Sequence, residues 1–109
     1  MPAARLAQPL AAYIAAANAQ DINAVAACFT ANAVVRDEKQ DRRGIAAIRE
    51  WAEEVSEKYR PIVEPLGVAE TDGDTILTGR VSGNFPGSPV QPRYTFKLKG
   101  GKIERLEIG

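Results

Sequence analysis

The stretch AVVRDEKQDRRG, residues 33–44, starts as an apolar strand and within three residues turns into a run of opposite charges. Successive side chains of a strand point to opposite faces, so Val35 and Asp37 share one side. Two readings of Asp37 stand open. Either it closes a surface turn and pairs with Arg42, Arg43 or Arg60, or the strand carries its carboxylate into a cavity where it does chemistry. Glu38, Lys39, Gln40 and Asp41 behind it read as a solvated loop, which could also gate such a cavity.

Towards the N-terminus, Leu10, Tyr13, Ile14 and Ala17 recur at i, i+3, i+4 and i+7. That spacing predicts a first helix over roughly residues 7–18, with Pro9 tolerated in its opening turn. Asp21 is placed to cap a second short helix, because its carboxylate can accept the free amide protons of the next turn. Ile22, Val25, Ala26 and Phe29 carry that helix, and Thr30, Ala31 and Asn32 break it before a strand over Ala33–Asp37. On the other side, Ile48, Trp51, Ala52, Val55 and Tyr59 predict a longer third helix from Ile45, ended by Pro61.

Beyond Pro61 the apolar period changes from about 3.6 to 2. TDGD at 71–74, PGSP at 86–89 and KGGK at 99–102 are turn signals that divide the remainder into four strands. Leu77, Gly79, Val81, Gly83 and Phe85 share one face of a strand from about Thr75 to Phe85. Val90, Tyr94, Phe96 and Leu98 do the same in the next, and Gly79 and Gly83 predict a bent sheet able to wrap helices. The expected fold is α+β: three N-terminal helices packed on a strongly curved, mainly antiparallel sheet, in a single domain over residues 1–109.

Composition limits the function. Fourteen basic residues balance fourteen acidic ones, which gives no bulk field for binding nucleic acid. No apolar run approaches the roughly 18 residues of a membrane span. The alanine-rich N-terminus has helical spacing in place of a signal-peptide core, so mature, cytoplasmic structure is expected. Histidine is absent, so acid–base work would fall to carboxylates, tyrosines or lysines. There is no GxGxxG, P-loop or CxxC, and no cofactor or metal is expected. The single Cys28, among alanines and valines, reads as a buried thiol without a disulfide partner.

Three helices, a short strand between the second and third, and then antiparallel strands resemble the cone-shaped fold of the nuclear transport factor 2-like superfamily, its SnoaL-like branch in particular. The residues that carry the resemblance are Tyr13-Ile14, Gln20 to Val25, Ala33 to Asp37, Arg43 to Ile48 and Gly101-Lys102-Ile103. It implies an apolar pocket inside the cone, a small apolar ligand or substrate, and homodimers formed through the outer sheet face, where Arg80, Asn84, Gln91 and Arg93 lie. It also implies a last strand longer than the one ending at Gly109.

Ketosteroid isomerase, a member of the superfamily, has an aspartate general base where Asp37 falls and a tyrosine oxyanion donor where Tyr13 falls. Its protonated aspartate on the penultimate strand is matched by Tyr94, so the resemblance departs from steroid isomerisation there. The implied activity is a cofactor-independent isomerase, cyclase or lyase acting on a small apolar carbonyl compound, with Asp37, Tyr13 and Tyr94 as the catalytic set. Phe29, Val35, Trp51, Val55, Tyr59, Phe85 and Phe96 are expected to line the pocket. The alternative is a non-catalytic domain of the same fold that binds a ligand or dimerises. Residue by residue, Tyr13 could equally be a core tyrosine bonded to a backbone carbonyl, and the aromatics plain core.

Overall fold

Asp21 caps its helix as its position predicts: the carboxylate accepts the amide proton of Ala24 at 3.1 Å. In the computed structural model, which describes residues 6–109, this helix is the second of three. Residues 1–5, read in the sequence as the start of mature structure, lie outside the described residues. Helix α1 covers Leu10–Asn18 and α2 covers Ile22–Ala27. The longer α3, Ile45–Tyr59, buries Ile48, Trp51 and Ala52 along one face. Among the described residues no helix is long and apolar enough to cross a membrane.

Six strands form one sheet: β1 (Phe29–Asp37), β2 (Gln40–Arg43), β3 (Ile62–Thr71), β4 (Asp74–Ser82), β5 (Arg93–Lys99) and β6 (Lys102–Ile108). Their order is β2-β1-β6-β5-β4-β3, with only β1 and β6 parallel. The helices cover its concave face. The core beneath them gathers Leu10, Tyr13 and Ile14 of α1, Ile48 and Trp51 of α3, and Val35, Leu77, Phe96, Ile103 and Leu106 of the sheet. Asn18 ties α1 to β3: its amide donates to the carbonyl of Val63 at 2.9 Å, and its side-chain oxygen accepts that residue's N–H at 2.7 Å.

Several expectations are corrected. Phe29 does not complete α2 but opens β1 opposite Ile103; the register then slips before Val34, so the expected break at Thr30–Asn32 is a bulge inside a longer strand. The charged run after Asp37 is not a loop but the other arm of a hairpin, with Asp37 opposite Gln40 and Val34 opposite Arg43. Glu38 and Lys39 form its tip with φ of 52° and 63°, left-handed conformations that β-hairpins favour for matching strand twist. An edge strand with no apolar residue gives no periodic signal, and charge is how exposed edges resist further pairing.

At the other end β4 stops at Ser82, not Phe85. The carbonyl of Tyr59 accepts the N–H of Asn84 at 2.7 Å, and a Cβ on Gly83 would lie 2.6 Å from that oxygen, so the chain passes too close to α3 to stay in the sheet. Val90 makes only an isolated bridge to Val81, because Pro92 has no N–H to extend the ladder and β5 begins at Arg93. Leu98 is 37% exposed, turned off the inner face by a register shift after Lys97.

Candidate active site

β1 delivers Asp37 to the inner face by simple alternation. Val35 lies opposite Leu106, both fully buried, and Asp37 comes two residues later, half-buried where the strand leaves the core. There it meets α3, whose Trp51 donates its indole N–H to Asp37 Oδ2 at 3.0 Å. The rival reading, an ion pair with Arg42, Arg43 or Arg60, is not what the chain does. Among the described residues Arg36 pairs with Asp41 at 3.0 Å, Arg42 with Glu54 at 3.2 Å and Arg80 with Glu64 at 3.7 Å, and Asp37 belongs to none of them.

Asp37 borders a cavity of about 510 Å³ between the helices and the sheet. Trp51, Val55 and Tyr59, at i, i+4 and i+8 of α3, form one wall, and Val63, Val81, Tyr94 and Ile108 of the sheet form another. Tyr13 of α1 also faces it, as does Phe85, whose ring meets Tyr59 edge-on at 5.8 Å. Gln20 and Ser56 reach the lining already engaged: the Ser56 hydroxyl donates to Gln20 Oε1 at 2.6 Å, and Gln20 Nε2 donates to the carbonyl of Pro61 at 3.1 Å.

Of the residues expected in the site, the structure brings Asp37, Tyr13, Tyr94, Trp51, Val55, Tyr59 and Phe85 to this cavity and leaves three outside it. Phe29, Val35 and Phe96 lie in the core behind the wall, where they support what faces inward. Tyr13 packs edge-on against Phe29 and Phe96, at 5.9 and 5.7 Å, and Tyr94 stacks on Phe96 at 6.3 Å. The room for Tyr94 comes from Gly79, where a Cβ would sit 3.3 Å from the tyrosine ring and 3.1 Å from Val63. Sequence reasoning missed Pro86, Val90 and Pro92, which irregular chain brings to the cavity, and Ile108, which alternation from Leu106 could have found.

The two phenols are held as neutral donors. Burial, and then repulsion from Tyr94 once ionised and from the Asp37 carboxylate, push the Tyr13 hydroxyl well above the ordinary tyrosine value of 10.0. Burial and then Asp37 raise Tyr94 as well. Both rings are buried, at 3% and 5% exposure, yet among the described residues neither hydroxyl has a hydrogen-bond partner and no fully buried side-chain polar atom is unpaired. Their hydroxyls are therefore the ones the cavity can use. Cys28 takes no part: its buried thiol donates to the carbonyl of Ala24 at 3.3 Å, and burial raises its pKa against the opposing pull of Lys102.

Three helices on a curved six-stranded mixed sheet, with a cavity inside, define a small α+β cone of the nuclear transport factor 2-like kind. The chain belongs to the SnoaL-like domain family, which matches residues 10–106. A candidate polyketide cyclase from Sinorhizobium meliloti is 35% identical, with 95% of each chain covered and a TM-score of 0.91. At lower identity the fold alone is shared. A protein of ketosteroid isomerase-like fold from Catenulispora acidiphila, in complex with trimethylamine, is 15% identical over 96% of this chain and 86% of its own, with a TM-score of 0.84. A candidate polyketide cyclase from Pseudomonas putida is 20% identical over 92% and 86%, with a TM-score of 0.80. No protein of curated function matches the sequence.

Proposed function

We propose that this protein is a cofactor-independent isomerase, cyclase or lyase acting on a small, largely apolar carbonyl compound. The observation that carries the reading is Asp37 on the cavity wall, free of any described ion pair and held by a neutral indole, beside two buried phenols without protein partners. The candidate cyclase of Sinorhizobium meliloti, similar over 95% of this chain, supports the reaction class.

In this mechanism Asp37 takes a proton from the carbon beside the carbonyl. The C–H bond breaks, an O–H bond forms on the carboxylate, and the electron pair moves to the carbonyl oxygen as an enolate. Tyr13 and Tyr94 donate hydrogen bonds to that oxygen, where a preorganised donor acts most strongly. Asp37–H then returns its proton at another carbon, which is isomerisation, or the enolate carbon attacks a second carbonyl carbon of the same molecule, whose π pair moves to its oxygen and takes the proton from Asp37–H, which is cyclisation.

The test uses 2-tetralone, an apolar ketone with acidic α-protons, in D2O, with deuterium uptake followed by proton NMR. Wild type should accelerate exchange, and Asp37→Asn should return it to the buffer rate. Equal exchange by the two proteins would sink the reading. Tight binding of the ketone by both, with no acceleration by either, would instead make the cavity a non-catalytic binding site.

Association through the outer sheet face belongs to the same proposal. That face carries Ile62 at 48% exposure beside the Arg80–Glu64 pair, a mixture suited to a moderately wet interface. Sedimentation at micromolar concentration should show a dimer, and a monomer alone would overturn it.

A further inference from the structure

We propose that Trp51 is the positioning residue of Asp37, fixing which carboxylate oxygen acts and keeping its hydrogen bond in both charge states of the base. The inference rests on the general-base reading above and assigns a role to a residue otherwise read only as wall.

The geometry is specific. Trp51 is 6% exposed, on the same buried face of α3 as Ile48 and Ala52, so its indole has little freedom to turn. Its Nε1 stands 3.0 Å from Asp37 Oδ2. One carboxylate oxygen is thereby occupied, leaving Oδ1 as the atom able to meet a substrate proton. Both residues border the 510 Å³ cavity, so the hydrogen bond is made at its wall.

The chemistry of the donor matters as much as its place. An indole N–H donates and never accepts, and it carries no charge. It can bond Oδ2 of the carboxylate, and it can keep that bond after Oδ1 has taken a proton, because Oδ2 is then a carbonyl oxygen and still an acceptor. A guanidinium in the same position would favour the ionised form strongly and oppose the proton transfer the base must perform. Cations are close at hand. A second cavity of about 270 Å³ also borders Asp37 and Trp51 and is lined by Arg42 and Lys58. There Arg42 is held by Glu54, at 3.2 and 3.4 Å.

Trp51 is the only tryptophan of the chain, so a ¹⁵N-labelled sample shows one indole cross-peak. In wild type the indole proton should be shifted downfield and exchange slowly with water. Asp37→Ala should move it upfield and speed its exchange about tenfold or more, as expected for loss of a hydrogen bond to a charged group. Trp51→Phe should keep the far-ultraviolet circular dichroism of wild type. It should lower kcat for deuterium exchange into 2-tetralone about tenfold or more, with KM changed less than about twofold.

An indole resonance unmoved by Asp37→Ala overturns the proposal, whatever the catalytic result. A wild-type kcat in Trp51→Phe, with Asp37→Asn at the buffer rate, overturns the positioning role and leaves the general-base reading standing. Wild-type exchange by Asp37→Asn brings down the general base, and the positioning role with it, even where the indole resonance reports the hydrogen bond.

Discussion

Replacing Tyr13 with phenylalanine removes one hydroxyl and leaves the ring contacts with Phe29 and Phe96, at 5.9 and 5.7 Å, in place. For a core tyrosine whose hydroxyl bonds a backbone carbonyl, that change loses about 1 kcal/mol and strands the acceptor. Among the described residues nothing accepts from Tyr13, so nothing is stranded. Tyr13 as a whole is only 3% exposed, and its hydroxyl, without a protein partner, meets only the cavity. Tyr13→Phe should therefore be as stable as wild type in urea denaturation, or more stable by up to about 1 kcal/mol. The same variant should slow deuterium exchange into 2-tetralone by about a hundredfold, the low end of the roughly 10²–10³ lost when one donor of an oxyanion hole is removed and the other, here Tyr94, remains. Stability and rate thus move in opposite directions. A variant destabilised by about 1 kcal/mol or more with an unchanged rate would show that the hydroxyl serves the fold, and the reasoning would fail.

Tyr13 also shapes behaviour in alkali. Its pKa is raised well above 10.0 in the fold, so the unfolded chain loses this proton first, and stability falls as pH climbs above about 10. Tyr13→Phe should flatten that fall in stability curves taken on either side of pH 10; an identical slope in the two proteins would contradict it. Gly83→Ala puts a methyl 2.6 Å from the Tyr59 carbonyl oxygen and breaks its 2.7 Å bond from Asn84. Overpacking and the lost hydrogen bond together should cost about 2–4 kcal/mol, and a urea midpoint equal to wild type would show that the segment yields freely. Asn18→Ala removes two hydrogen bonds to Val63, of 2.9 and 2.7 Å, and should cost about 2 kcal/mol by the same measurement. A loss below about 0.5 kcal/mol would mean that water replaces the side chain.

The parts of the fold legible in the sequence were those whose apolar period survives in the structure. Ile48, Trp51, Val55 and Tyr59 give α3 its inward face, Asp21 announces α2, and alternation from Val35 sends Asp37 inward. The parts that were hidden depend on partners far along the chain. Strand β2 has no apolar residue and exists because β1 offers it an edge. Phe29 fits a helix face by spacing, but Ile103 and the parallel strand β6 claim it. Phe29, Phe96 and Val35 have the inward orientation expected of pocket residues; depth separates them from Tyr13 and Tyr94, and no local pattern encodes depth. The same is true of the bond between Trp51 and Asp37, which requires α3 to lie across the end of β1.

The charge run that first competed for Asp37 has a different consequence in the structure. A carboxylate that takes up and returns a proton must change charge during each cycle, and a permanent cation against it would favour one half of the cycle at the expense of the other. The hairpin that holds Asp37 carries three arginines, Arg36, Arg42 and Arg43, within eight residues, a dense supply of such cations. Two of them are bound elsewhere, Arg36 to Asp41 on the facing strand and Arg42 to Glu54 on α3. Both acids thereby draw arginines away from the base, while the groups facing Asp37 in the cavity are an indole and two phenols that burial keeps protonated. In this reading the charges around Asp37 do not neutralise it. Asp41 and Glu54 take Arg36 and Arg42, and so leave a proton-transfer group among donors that tolerate both its forms.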